Sequence, residues 1–167
     1  MKAILSRRSI RRYTKEPVPD SVVKEILEAA MSAPSAGNEQ PWHFVIITDR
    51  EILDAIPKFH PYSQPLTMAS VAILVCGDLT LEIHKDFWIQ DCSAAIENIL
   101  IAVQAKELGA VWLGIYPRTE RVLGMQKLLR LPDHVMPLAV IPIGHPAEDK
   151  PPADRFDTSR IHYNRWS

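Results

Sequence analysis

The chain is poor in glycine. Six glycines occur among 167 residues, and none falls in a G-x-G-x-x-G or G-x-x-x-x-G-K-[ST] arrangement. A dinucleotide fingerprint and a P-loop are therefore excluded. Cysteine is scarcer still: Cys76 and Cys92 form no C-x-x-C and sit in apolar patterns. They read as buried free thiols of a reducing cytoplasm rather than a disulfide framework. The six histidines show no H-E-x-x-H or other ligand spacing, so no metal centre is expected. No G-x-S-x-G occurs and neither cysteine is placed as a nucleophile, which leaves covalent hydrolysis without support. No charge sign dominates, with 19 basic against 20 acidic side chains and no continuous basic stripe, so a nucleic-acid surface is not indicated. The most apolar stretch carries Asp91, Glu97 and Lys106 and is not a membrane span. No N-terminal segment reads as a signal peptide, because Arg7 and Arg8 interrupt the apolar residues.

What is present is an ordinary globular composition, 47% apolar, in a length suited to a single domain over residues 1–167. No repeat or low-complexity segment interrupts it. Residues 2–7 are expected to form a short helix. Pro19-Asp20 opens a second, with Val22, Val23, Ile26, Leu27, Ala30 and Met31 at helical spacing before Pro34. His43–Thr48 reads as a strand and Arg50–Ile56 as a short helix. Ser70–Cys76 is a strand apolar on both faces. Phe87–Leu108 is a long helix, apolar nearly all round and stopped by Gly109, with a dimer interface as a natural place for it. Ala110–Tyr116 is a strand, Glu120–Leu129 a helix and Leu138–Ile143 a strand. The expected fold is α+β, a mixed α/β sandwich with about four strands. From His145 to Ser167 the character changes. Prolines 146, 151 and 152, many charges, and the anchors Ile161, Tyr163 and Trp166 describe an extended segment lying on another surface.

Two stretches carry chemistry. Pro34-Ser35-Ala36-Gly37-Asn38-Glu39-Gln40-Pro41-Trp42 is a polar turn between a helix and a strand. Its hydroxyl and amides suit a planar, neutral, heteroatom-rich ligand. Upstream, Arg7-Arg8-Ser9-Ile10-Arg11-Arg12-Tyr13 places four arginines in six residues. Such guanidinium forks grip phosphate bidentately, with Ser9 as a further donor.

Together with Lys106-Glu107-Leu108-Gly109, Val111-Trp112-Leu113-Gly114-Ile115-Tyr116-Pro117 and Ile143-Gly144-His145-Pro146, these pieces in this order resemble the nitroreductase family of flavoproteins over nearly the whole chain. The resemblance implies a mostly antiparallel central sheet flanked by helices, in an intertwined homodimer whose tail, 145–167, wraps the partner subunit. It implies FMN as cofactor, held by Arg7, Arg8 and Ser9, with Arg11 reaching toward the ring. Arg155 would complete the phosphate clamp, with Lys150 a weaker candidate for that place. Arg12 and residues from Lys15 onward are expected at the surface. Pro34, Ser35, Asn38 and Gln40 would come from the other subunit, and the Leu113–Gly114 backbone would pass the ring, where a backbone N–H can hydrogen-bond the hydride-accepting nitrogen. Trp112 is expected to pack in the core. Phe87, Trp88, His60, Pro61 and Tyr62 are candidates to cover the flavin or simply to pack loops. No protein acid or base is needed, because the flavin performs the chemistry.

The implied activity is hydride transfer from NADH or NADPH, through FMN, to an electron-poor acceptor such as a nitroaromatic or a quinone, by a ping-pong mechanism in the cytoplasm. A specialised flavin-consuming or dehalogenating relative, and a non-enzymatic flavin sensor or storage protein, remain open at this level.

Overall fold

A computed structural model describes residues 1–166. Its elements are α1 (Lys2–Ser6), α2 (Asp20–Met31), β1 (Trp42–Ile47), α3 (Arg50–Ala55), β2 (Val71–Asp78), α4 (Trp88–Ala105), β3 (Gly109–Ala110), β4 (Leu113–Gly114), α5 (Thr119–Leu129) and β5 (Val135–Gly144). The sheet runs β1-β2-β5-β3 with β4 also on β5, and all of these pairings are antiparallel. This is the expected α+β architecture.

β2 organises the core because it is apolar from Val71 to Cys76. Val71, Ile73 and Val75 point to a helical layer that includes Val23, Ile26 and Ala30 of α2 and Ala95, Ile96, Ile99 and Val103 of α4. Ala72, Leu74 and Cys76 point the other way, to a layer with Leu53 of α3 and Val122 and Met125 of α5. Strand periodicity alone makes this split, since successive side chains alternate faces. Each fully buried Leu or Ile contributes about 1.5–3 kcal/mol by leaving water. The predicted apolar stripe of α2 departs at Met31, which is exposed.

Two expectations need correction. Gly109 does not stop the long helix. α4 ends at Ala105, and Glu107 takes the left-handed conformation (φ 58°). Gly109 instead lies in β3, where an added Cβ would come within 2.8 Å of Ile10 side-chain atoms, so close approach of the N-terminal segment demands it. The second correction concerns the strand expected over 110–116, which is split into β3 and β4. Ala110 faces Ile143 and Leu113 faces Val140, so both pieces share one register, and the gap at Val111–Trp112 lies opposite Pro142 and Ile141. Pro142 has no N–H to give an edge partner. Its carbonyl accepts from the Tyr13 hydroxyl at 3.3 Å instead.

Cys76 and Cys92 are buried free thiols. Burial pushes Cys76 up to about 12, and burial, then Cys76 and Asp91, push Cys92 up as well. The tail after His145 has little regular structure beyond a short turn at Thr158–Arg160. Phe156, Tyr163 and Trp166 in it are about 80–90% exposed (79%, 84% and 89%). Ser167, the last residue of the predicted wrapping segment, lies outside the described residues. No described helix is long and apolar enough to cross a membrane.

Candidate functional site

The N-terminal arginines divide between two clefts. Arg7, Arg8 and Arg155 line one of 340 Å³, with Ile4, Leu5, Asp154 and Phe156. The structure thus brings together three residues that the sequence separates by nearly 150 positions. Each is differently engaged. Arg7 pairs with Glu97 of α4 at 3.4 Å. Arg8 donates to the carbonyls of Leu5 (2.9 Å), Arg7 (2.6 Å) and Pro151 (2.8 Å), which ties the tail to the N-terminal segment. Arg155 is exposed. Lys150 turns away from this group: its ammonium donates to the Ser9 carbonyl at 2.5 Å and pairs with Glu148 at 3.4 Å. Ser9 itself bridges Ala110 of β3, which fixes the arginine segment against the sheet edge.

Arg11 lines the other cleft, of 520 Å³, with Leu113 and Gly114 of β4. Glu148 fixes its backbone by accepting from the Arg11 N–H at 2.5 Å. That hydrogen bond, outweighing burial and assisted by Lys150, holds the Glu148 carboxyl below its ordinary range. A Cβ added at Gly114 would meet nothing within 4 Å, so this backbone faces open space. Across the cleft stand His60, Tyr62, Gln64 and Met68, and Arg121 of α5 closes the rim. Trp112 also lines it and is 37% exposed, contrary to the expected core packing. The gap opposite Pro142 explains this, because Val111 and Leu113 point inward and the residue between them must point out. Trp88 behaves oppositely: it is buried edge-on against Tyr116 at 5.1 Å and fills the space beside Gly77. Phe87 is exposed beside His84.

His60 is only 1% exposed, and neither ring nitrogen makes a well-formed hydrogen bond. Burial, and then the Arg121 guanidinium, hold its pKa below the ordinary 6.5, although the Gly114 and His60 carbonyls pull the other way. The imidazole is therefore neutral near pH 7.

Pro34, Ser35, Asn38 and Gln40 line neither cleft. Their loop is self-contained. Ser35 Oγ accepts from Gln40 N at 3.0 Å, and Gln40 Nε2 donates to Asn38 Oδ1 at 3.0 Å. Gly37, Asn38 and Gln40 all take left-handed backbone conformations (φ 53°, 58° and 47°). Two buried carboxyl groups hold this unusual turn. Asp91 Oδ1 accepts from Ala36 N at 2.9 Å, and Glu39 Oε2 accepts from Ile83 N and His84 N at 2.7 and 2.9 Å. The remaining oxygens, Glu39 Oε1 and Asp91 Oδ2, are buried without a hydrogen-bond partner. Burial raises Asp91, and Glu39 and Glu82 raise it further against the Ala36 N–H. Burial works on Glu39 too, but the His84 and Ile83 N–H groups, Asp91 and the His84 ring outweigh it and lower its pKa. Of the two carboxyls, Asp91 is the one pushed toward its protonated form.

Sequence reading missed Gln64, Met68 and Arg121 in the cleft, and Glu39 and Asp91 beneath the loop. Arg121 left one sign: a cation in the first turn of a helix, where an acid is favoured. The other four left none. Among the described residues, no group of three or more acidic, His or Cys side chains could hold a metal.

Comparison with known proteins places these features in context. The family model described as the nitroreductase family matches residues 4–66 and 62–145. A Methanothermobacter thermautotrophicus protein, provisionally named NADH dehydrogenase/NAD(P)H nitroreductase, is 49% identical over 166 residues, covering 99% of this chain and 87% of the relative. A crystal structure from Parabacteroides distasonis with the same provisional name is 41% identical with a TM-score of 0.95, covering 99% and 97% of the two chains. A provisionally named nitroreductase from Desulfovibrio desulfuricans, in complex with FMN, is 35% identical with a TM-score of 0.85, covering 99% and 96%.

Proposed function

The chain belongs to the nitroreductase family, and from that premise we propose that it is an FMN-dependent oxidoreductase passing electrons from NADH or NADPH to an electron-poor acceptor, a nitroaromatic or a quinone. The observation that carries this reading is the pair of clefts. One is lined by three arginines, and the other runs along a bare stretch of backbone at Gly114. A phosphate suits the first and a planar ring suits the second, so the residues present fit FMN.

FMN supplies the ability to accept a hydride and release it to a second substrate. The protein's part is to bind, orient and shield. Arg7, Arg8 and Arg155 hold the phosphate, with Ser9 as a further donor. Arg11 and the Leu113–Gly114 backbone face the ring. Glycine at 114 leaves room for that approach. Pro34, Ser35, Asn38 and Gln40 line neither cleft of their own chain, which supports their serving the partner subunit's site in a homodimer. The exposed Phe156, Tyr163 and Trp166 are the anchors by which the tail embraces that partner. With no dinucleotide fingerprint, donor and acceptor must use one open face in turn, which gives ping-pong kinetics in a cytoplasmic enzyme. His60, Tyr62 and Trp112 border that face.

The test is direct. Purified protein should be yellow, release FMN rather than FAD on denaturation, and bleach on anaerobic addition of NADH or NADPH. Double-reciprocal plots should be parallel, and reduced enzyme freed of nicotinamide should reduce the acceptor in one turnover. Protein that binds no added FMN would overturn the reading, and intersecting plots with a detectable ternary complex would overturn the single-face mechanism.

A further inference from the structure

We propose that Arg121 is the fixed cation of the ring cleft, locked onto the Gly114 carbonyl so that its charge favours the reduced form of the cofactor. The inference rests on the FMN reading above and adds to it a residue that no part of the arginine motif contains.

Three observations converge on Arg121. Its Nη1 donates to the Gly114 carbonyl at 2.8 Å, and its guanidinium lies 5.5 Å above the centre of the Tyr62 ring. A hydrogen bond on one side and an aromatic face on the other fix a side chain that would otherwise wave in solvent. Second, its charge is uncompensated. It forms no ion pair among the described residues, and no Asp or Glu lines the cleft. Third, it stands in the first turn of α5, whose partial positive charge disfavours a cation. Held by two contacts against the local field and facing an acid-free cleft, this charge has no ion-pairing role in the fold.

The chemistry of the cleft gives it one. A hydride brings two electrons and one proton from a dihydronicotinamide whose C–H bond breaks. Its arrival therefore leaves one additional negative charge at the ring. A cation already fixed beside that charge stabilises it without reorganising. Of the other groups in the cleft, Arg11 is exposed and its guanidinium has one long contact, to the Ser9 carbonyl at 3.4 Å, while His60 is kept neutral by burial and by Arg121 itself. Gly114 and Ala139 pair across β4 and β5, while the Gly114 carbonyl is turned to Arg121, so the guanidinium lies along the same backbone that faces the open space. A guanidinium does not titrate in the working range, so the effect should not vary with pH.

The experiment compares wild type, Arg121→Gln and Arg121→Lys, each loaded with FMN. It measures the oxidised-state dissociation constant by flavin fluorescence and the midpoint potential by dye equilibration. In Arg121→Gln the preference for reduced over oxidised FMN should fall about tenfold, which for a two-electron couple is a drop of about 30 mV. Arg121→Lys should restore most of it. An unchanged potential in a flavin-loaded Arg121→Gln protein would overturn the inference, as would a Lys variant indistinguishable from the Gln variant. Should Arg121→Gln not fold, Arg121→Met of similar length takes its place with the same outcomes. A wild-type protein that binds no FMN would refute the functional reading instead, and the two failures are distinct.

Discussion

Asp91 and Glu39 are buried together beneath the loop of Ser35, Asn38 and Gln40, and each leaves one carboxyl oxygen, Oδ2 and Oε1, without a hydrogen-bond partner. The pair joins that loop to α4 and to the backbone of Ile83 and His84. A pH dependence follows. Asp91 is raised above its ordinary 3.8, so its contribution is complete below 3.8 and is lost as pH rises through the folded value. Glu39 is lowered from 4.5, so its contribution is complete above 4.5 and is lost as pH falls through the folded value. Asp91→Asn removes the titrating group and keeps an acceptor for the Ala36 N–H. Thermal unfolding followed from pH 4.5 to 8 should show the wild type losing ground to Asp91→Asn as pH rises. Parallel curves would rule out a raised Asp91.

Glu39→Ala should be worse than Glu39→Gln. The alanine strands the Ile83 and His84 N–H groups, at a cost of about 1–2 kcal/mol, whereas glutamine still offers an acceptor. Denaturant unfolding measures both. Equal stability of the two variants would remove Glu39 from the support of the loop.

The three clamp arginines should not behave alike. Arg7→Ala and Arg155→Ala should weaken FMN binding by about 1.5–3 kcal/mol, the worth of a charge-assisted hydrogen bond, while riboflavin binding changes little in Arg155→Ala. Arg8→Ala should also lower stability, because its guanidinium holds three backbone carbonyls including that of Pro151. Fluorescence titration and thermal unfolding on the same samples separate the two effects. Loss of stability in all three would mean that none is chiefly a ligand residue.

Gly77 and Gly114 make an opposed pair. A Cβ at Gly77 would lie 2.5 Å from the Trp88 ring, so Gly77→Ala should cost about 1–3 kcal/mol by overpacking. At Gly114 a Cβ meets nothing, so Gly114→Ala should fold with wild-type stability yet bind FMN more weakly. If Gly114→Ala binds FMN as the wild type does, the backbone there does not approach the ring.

Site sharing across a dimer is tested by refolding Arg155→Ala and Asn38→Ala chains together. Each heterodimer should carry one intact site and one doubly damaged site. Flavin binding that stays at the level of the two mutant homodimers would assign both residues to a single chain. Removing residues 156–167 should also raise the dimer dissociation constant, read by sedimentation.

Much of this was legible in the residues. β2 is apolar from Val71 to Cys76, α2 and α4 carry helical spacing, and the helix and strand ends fell within a few residues of those expected. The exceptions have physical causes. Pro142 breaks a strand that lies across the sheet from it, and a proline's effect on a distant neighbour does not show in local pattern. Glu107 takes the left-handed turn that Gly109 invited, because Gly109 is needed against Ile10. The arginine cluster suggested a phosphate site, but how Arg7 and Arg8 are engaged depends on Glu97 and the carbonyl of Pro151. Glu39, Asp91 and Arg121 matter through contacts spanning 7 to 55 positions, and single residues at such separations leave no periodic signature.

Cys76 and Cys92 are buried, and their thiols stay protonated at neutral pH. A thiol that does not ionise does not react with maleimides or iodoacetamides. The folded protein is thus a blank background for labelling chemistry. A cysteine placed at Tyr163 or Gln40 would be its single reactive handle, and a pair of probes there would report on the distance between tail and loop without any native residue having to be removed.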